Sequence, residues 1–128
     1  MSESPHKVPP ALVLVVEDEP VIRLDIVAEL KAEGFLVAEA ASAEDALALI
    51  QDSPVPDVVF TDIQLAGRGT GWDVAEAIRQ RNPEAAVIYA SGQTIEASRR
   101  VAGSAAFSKP YRTQDIVGAC RTLMPHKS

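Results

Sequence analysis

The chain of 128 residues has a single cysteine, Cys120, so it can form no internal disulfide and build no multi-thiolate zinc site. Long apolar runs are missing too. The longest, residues 11–16 and 85–90, are six residues each, against about 20 for a membrane-spanning helix, and no membrane insertion is expected. There is no basic surplus: 12 Lys and Arg against 18 Asp and Glu leave a net charge of −6, which argues against direct nucleic-acid binding through a cationic face. The opening MSESPHKVPP lacks the basic start and apolar stretch of a secretory signal. A cytoplasmic location follows as the default, with Cys120 as a small buried hydrophobe.

What remains is 47% hydrophobic and 23% charged, the make-up of one compact domain large enough to be held by its own core. The polar, proline-bearing residues 1–10 read as a flexible arm. Folding is expected over 11–124, with 125–128 as a tail; His6 and His126 then fall in surface segments. The run ALVLVV has the valine-rich pattern of a strand covered on both faces. Glu17-Asp18-Glu19-Pro20 after it marks a helix start. Ile22, Ile26, Val27 and Leu30 share one face of that helix, and Gly34 ends it.

The alternation continues with a strand near 35–40, a helix near 43–51, a strand at 57–61, a helix near 72–81 and the strand AAVIYA. A weaker helix near 95–101, a strand near 105–108 and a last helix near 113–123 complete it, with Thr113 as N-cap and Ile116, Val117, Cys120, Leu123 and Met124 as the apolar stripe. Five strands alternating with five helices predict an α/β, doubly wound parallel sheet.

In such sheets functional groups gather just beyond the carboxyl ends of the strands. Here those positions hold Glu17-Asp18, Asp62, Ser91-Gly92 and Lys109-Pro110. Three carboxylates at one sheet edge repel one another unless a cation offsets them. A hard divalent ion such as magnesium suits that donor set and leaves a carboxylate free to react with phosphate. Lys109 adds a second positive charge, and Ser91 a hydroxyl that can donate to an anion. Gly67, Gly69 and Gly71 superficially suggest a nucleotide loop, but GRGTGWD matches neither the dinucleotide-binding glycine pattern nor a phosphate-binding loop. Arg99 and Arg100 read as a solvated helix face.

VLVVEDEP, TDIQL, YASG and FSKPY, in that order and each at a strand end, resemble the receiver domain of two-component response regulators over about residues 12–123. The resemblance implies a flavodoxin-like sheet of order 2-1-3-4-5. It casts Asp62 as phosphoryl acceptor and, with Asp18, as a direct Mg2+ ligand; Glu17 acts through metal-bound water and Gln64 through its backbone carbonyl. Lys109 would contact the acyl phosphate, Ser91 would move toward the phosphoryl group, and Lys109-Pro110 would be cis. Gln64 and Gln93, two past the acceptor and two past Ser91, would tune hydrolysis, the Gln93 amide orienting the attacking water.

Two departures stand out. The loop LAGRGTGWD has Ala66 where the family often has proline and places Gly71 nine residues past Asp62, where eight is usual; a longer, glycine-rich loop is expected to be more mobile. The usual switch aromatic is replaced by Ala106, leaving Phe107 as either a core side chain or a shifted switch, and Tyr111 as the other candidate aromatic on the output surface.

The expected function is that of a single-domain response regulator that takes a phosphoryl group from a sensor histidine kinase or a histidine phosphotransfer protein. It would be no enzyme beyond its own phosphorylation and dephosphorylation. Its output would pass to a separate protein target, because only MPHKS follows Leu123, and a homodimer is a further expectation. Two alternatives are a receiver-like scaffold that works without phosphorylation and a phosphohydrolase with an aspartyl nucleophile. Gln64 stands where the latter commonly has a second aspartate.

Overall fold

The computed structural model describes residues 10–52 and 54–124; apart from Pro10, the expected arm and tail, with His6 and His126, lie outside them. Ten elements alternate along the chain: β1 (Leu12–Val16), α1 (Pro20–Ala32), β2 (Leu36–Ala40), α2 (Ala43–Gln51), β3 (Val58–Asp62), α3 (Gly71–Arg81), β4 (Ala86–Ser91), a 3-10 turn (Ala97–Arg99), β5 (Ala105–Ser108) and α4 (Thr113–Leu123). All pairings are parallel, as the alternation of elements predicted, and the strand order is β2-β1-β3-β4-β5, as the resemblance implied.

Because strand side chains alternate faces, each apolar run feeds two cores. Val13, Val15, Phe60 and Ile88 pack with Ile26, Leu30, Ile116 and Cys120 under α1 and α4. Leu14, Val16, Val59, Val87 and Tyr89 pack with Ala46, Ile50, Val74 and Ile78 under α2 and α3. Every residue of β3 and β4 is buried, while β2 and β5 at the sheet edges are only partly covered. Central strands therefore read as unbroken hydrophobic runs. Burial pushes the Cys120 thiol up to about 12, as befits a packing residue.

The helix boundaries have local causes. Pro20 opens α1, and past its end the left-handed Gly34 (φ +96°) donates its N–H to the Lys31 carbonyl. The Ser42 hydroxyl accepts the Asp45 N–H at the start of α2, and Thr70 and Asp73 form a capping box on α3.

Three expectations are corrected. The helix foreseen near 95–101 is only the three-residue turn Ala97–Arg99, none of it buried. With Ile95 and Val101 as its only large apolar residues, the segment has no face to bury, and short helices are held by such faces. Arg99 and Arg100 consequently form no solvated helix face. The Arg99 guanidinium lies 5.2 Å from the Trp72 ring centroid, and Arg100 donates to the Ser104 hydroxyl and carbonyl. Thr113 is the first residue of α4, with Arg112 in the capping position, and its hydroxyl donates to Asp25 Oδ2 at 2.6 Å.

Candidate functional site

Glu17, Asp62, Ser91 and Lys109 converge because β1, β3, β4 and β5 all end at one edge of the sheet. Asp62 is the last residue of β3 and only 2% exposed. One of its oxygens, Oδ2, accepts from Lys109 Nζ at 2.7 Å, while the other, Oδ1, is buried with no partner among the described residues. Glu17 follows β1 and is fully buried: its Oε2 accepts the Glu19 N–H at 3.1 Å, and its Oε1 is likewise without a partner. Asp18 accepts the Ala66 N–H at 3.1 Å. One oxygen from each of these three carboxylates lies within 4.8 Å of the others.

The electrostatics follow from that crowding. Burial, and then the charge of Asp62, hold the Glu17 carboxyl up at about 7, against a backbone hydrogen bond that lowers it. Asp62 is raised as well, because its burial outweighs the hydrogen bond and charge of Lys109. Burial alone would lower Lys109, but the hydrogen bond and charge of Asp62 more than reverse it, and its ammonium is held on. Two buried carboxylate oxygens without donors, on two members of a cluster of three carboxylates, are what a hard divalent cation would satisfy. The residues present thus fit the ion that the sequence called for.

Ser91 ends β4 fully buried. Its hydroxyl donates to Gln64 Oε1 at 2.8 Å and accepts the Gln93 N–H at 3.0 Å. The Lys109 N–H donates to the Ser91 carbonyl at 2.8 Å, and the Lys109-Pro110 bond is cis. Gln64, expected at the site from its place two past Asp62, therefore brings its carboxamide there as well as its backbone, and the partner that the sequence did not announce is Ser91. Arg23 also escaped the sequence reading: it donates to the Glu17 carbonyl at 2.7 Å and pairs with Glu39 at 3.3 Å, steadying the exit of β1. Its one signal is a cation in the first turns of a helix that begins beside an acidic run.

Both candidate aromatics are half-buried. Phe107 packs against the core under α1 and α4, while Ala106 faces the opposite core. Tyr111 sets its ring edge-on to Phe60 with centroids 5.8 Å apart, and its hydroxyl is buried. Burial and the neighbouring carboxylates, Glu17 first, push that phenol up. An apolar groove of about 800 Å3 opens beside Lys109, lined also by Val21, Leu24, Pro110 and Tyr111.

The profile of the response regulator receiver domain matches residues 13–121. The chain belongs to that family. This receiver domain is 32% identical over 139 residues to the alkaline phosphatase synthesis transcriptional regulatory protein SphR of Synechococcus elongatus, covering 95% of this chain and 54% of that protein. It is 38% identical over 110 residues to a putative response regulator NtrX-like protein of Rickettsia conorii, covering 82% and 23%. The chain thus spans about half the length or less of these curated relatives. Among solved structures, a response regulator receiver protein from Sinorhizobium medicae superposes with a TM-score of 0.85 at 29% identity, covering 89% of this chain and 94% of that one. Receiver domains act as phosphoacceptors in signalling, interact with histidine kinases or phosphotransfer proteins, and typically bind Mg2+. No helix among the described residues is long and apolar enough to cross a membrane.

Proposed function

We propose that this receiver domain accepts a phosphoryl group on Asp62 from the phosphohistidine of a kinase or phosphotransfer protein, and that the modification switches its contacts with a target protein. The observation that carries this reading is the divided environment of Asp62: Oδ2 held by Lys109 at 2.7 Å, Oδ1 buried without a partner beside two further carboxylates. Asp18, Asp62, the Gln64 backbone carbonyl and, through water, Glu17 would hold Mg2+, which when bound offsets charge on the transferring group.

The chain's own residues do the rest. The Asp62 carboxylate attacks phosphorus, the new O–P bond forms as the P–N bond of the donor breaks, and the imidazole departs with the electron pair. Lys109 neutralises a phosphoryl oxygen. Ser91 donates to another, and the Gln93 amide orients the water that later hydrolyses the acyl phosphate. The groove beside Lys109, with Val21 and Leu24 81% and 68% exposed, offers the donor protein an apolar surface continuous with the site.

Intact mass after incubation with acetyl phosphate, with and without magnesium, tests this on the wild type and Asp62→Asn. A magnesium-dependent, hydroxylamine-labile adduct on the wild type alone is expected. No adduct together with no magnesium binding would replace it with a scaffold that works without phosphorylation.

A further inference from the structure

The hydroxyl of Ser91 has one proton to give and, in this structure, has already given it. The Gln93 N–H occupies a lone pair of Oγ at 3.0 Å, and the proton goes to Gln64 Oε1 at 2.8 Å. Ser91 is fully buried, so no water takes over if that bond is lost, whereas Gln64 is exposed and its carboxamide is rewetted at once. The two residues lie 27 apart in the chain and meet only because β3 and β4 are neighbours in the sheet.

We propose that the Gln64 side chain is a latch that holds Ser91 in the resting arrangement, a role that rests on the acceptor reading of Asp62 given above. For Ser91 to donate to a phosphoryl oxygen on Asp62, the bond to Gln64 must break. A charged oxygen is the stronger acceptor, roughly twofold over a neutral amide, so the exchange runs toward the phosphorylated state with the latch subtracted from its driving force. Since the Gln93 N–H is bound to the same hydroxyl, turning Ser91 also pulls on the backbone at the start of residues 92–104, the stretch that forms no regular helix. Gln64 is in this role a positioning residue: it acts through the Ser91 hydroxyl and sets how much of the phosphoryl group's binding energy is spent releasing Ser91.

Beryllofluoride, a phosphoryl mimic that is not hydrolysed on the protein, separates this role from any effect on dephosphorylation. It is titrated at saturating magnesium into the full chain, with the single tryptophan, Trp72, as fluorescence reporter. Gln64→Ala and the similarly sized Gln64→Met are expected to bind it about 2- to 10-fold more tightly than wild type, the worth of one neutral hydrogen bond. In a Ser91→Ala background, where there is no hydroxyl to latch, Gln64→Ala should change nothing. An unchanged affinity when Ser91 is present, or a gain that persists undiminished in the Ser91→Ala background, overturns the latch. Failure of the wild type itself to bind beryllofluoride refutes the acceptor reading and the latch with it, a result distinct from either.

Discussion

The two loops beside Asp62, residues 63–70 after β3 and 92–104 after β4, invert what their compositions suggest. The first contains Gly67 and Gly69, both with φ near +85°, and was expected to be mobile. Its backbone is nonetheless tied at close intervals: Ala66 N–H to Asp18, Arg68 N–H to Glu44, Thr70 N–H to Asp73, and the N–H of Gly71, where α3 begins, to the Ile63 carbonyl. The second has no glycine between Gly92 and Gly103, yet it makes only one 3-10 turn. Apart from the Gln93 link to Ser91, its tertiary ties gather near its far end, where Tyr89 accepts the Val101 N–H, Arg79 donates to the Ala102 carbonyl and Arg99 lies over Trp72. Order in a loop follows from what its backbone groups meet, and glycine content is a poor guide to it. Here the more closely tied loop follows Asp62 and the more loosely tied one follows Ser91, so the proposed acceptor and the proposed reporter stand at the heads of differently held segments.

The largest effect that would break this contrast is expected at Gly71. A Cβ there would stand 2.3 Å from the Asp62 carbonyl oxygen and 2.8 Å from the Ile63 Cα, so the start of α3 rests directly on the end of β3. Gly71→Ala should destabilise the domain by about 2 kcal/mol or more in urea unfolding. Gly92→Ala, where nothing lies within 4 Å of the added carbon, should stay within about 0.5 kcal/mol. Equal losses at the two glycines would mean that the second loop is as tightly built as the first.

The next effect separates the loops by their charge environment. Burial first, then Asp62, hold Glu17 at about 7 against an ordinary value of 4.5, so between those values the folded protein keeps a proton that the unfolded chain has released. Without metal, stability should therefore fall as pH rises from about 4.5 to about 7, and the upward shift of Asp62 acts in the same sense. Thermal unfolding in a chelator measures this. Glu17→Gln should flatten the slope, and magnesium should restore most at the upper end of the window, because it favours the charged carboxylates. Amide exchange at Ala66, bound to Asp18, should respond to magnesium more than exchange at Val101.

The smallest effect concerns the tie at the far end of the second loop. Tyr89→Phe removes the hydroxyl that accepts the Val101 N–H at 3.1 Å and should cost about 1 kcal/mol. Faster amide exchange should be confined to residues near 101–104. If exchange also quickened around Arg68, the two loops would be coupled through α3 and could no longer be treated as separate devices.

Much of the molecule was legible from local pattern. ALVLVV and AAVIYA announce buried parallel strands because both of their faces are apolar, and the residues just past each strand bring Glu17, Asp18, Asp62, Ser91 and Lys109 to one edge once the sheet is parallel. Gly34 and Pro20 mark the ends of α1 through backbone geometry that a single residue dictates. The weak stretch at 95–101 misled because helical spacing can be read locally, whereas the surface it would need to bury against cannot. The Asp18 bond to Ala66 and the Glu44 bond to Arg68 join residues 48 and 24 positions apart, and the Tyr111 ring meets Phe60, from two strands away, edge-on. The sequence by itself determined the alternation of elements and the chemistry gathered at the strand ends, since periodicity and strand polarity are properties of the chain. Which oxygen of Asp62 is left free, and that Ser91 rests on Gln64, were decided only by tertiary structure, because hydrogen bonds between strand ends depend on distances that no local pattern encodes.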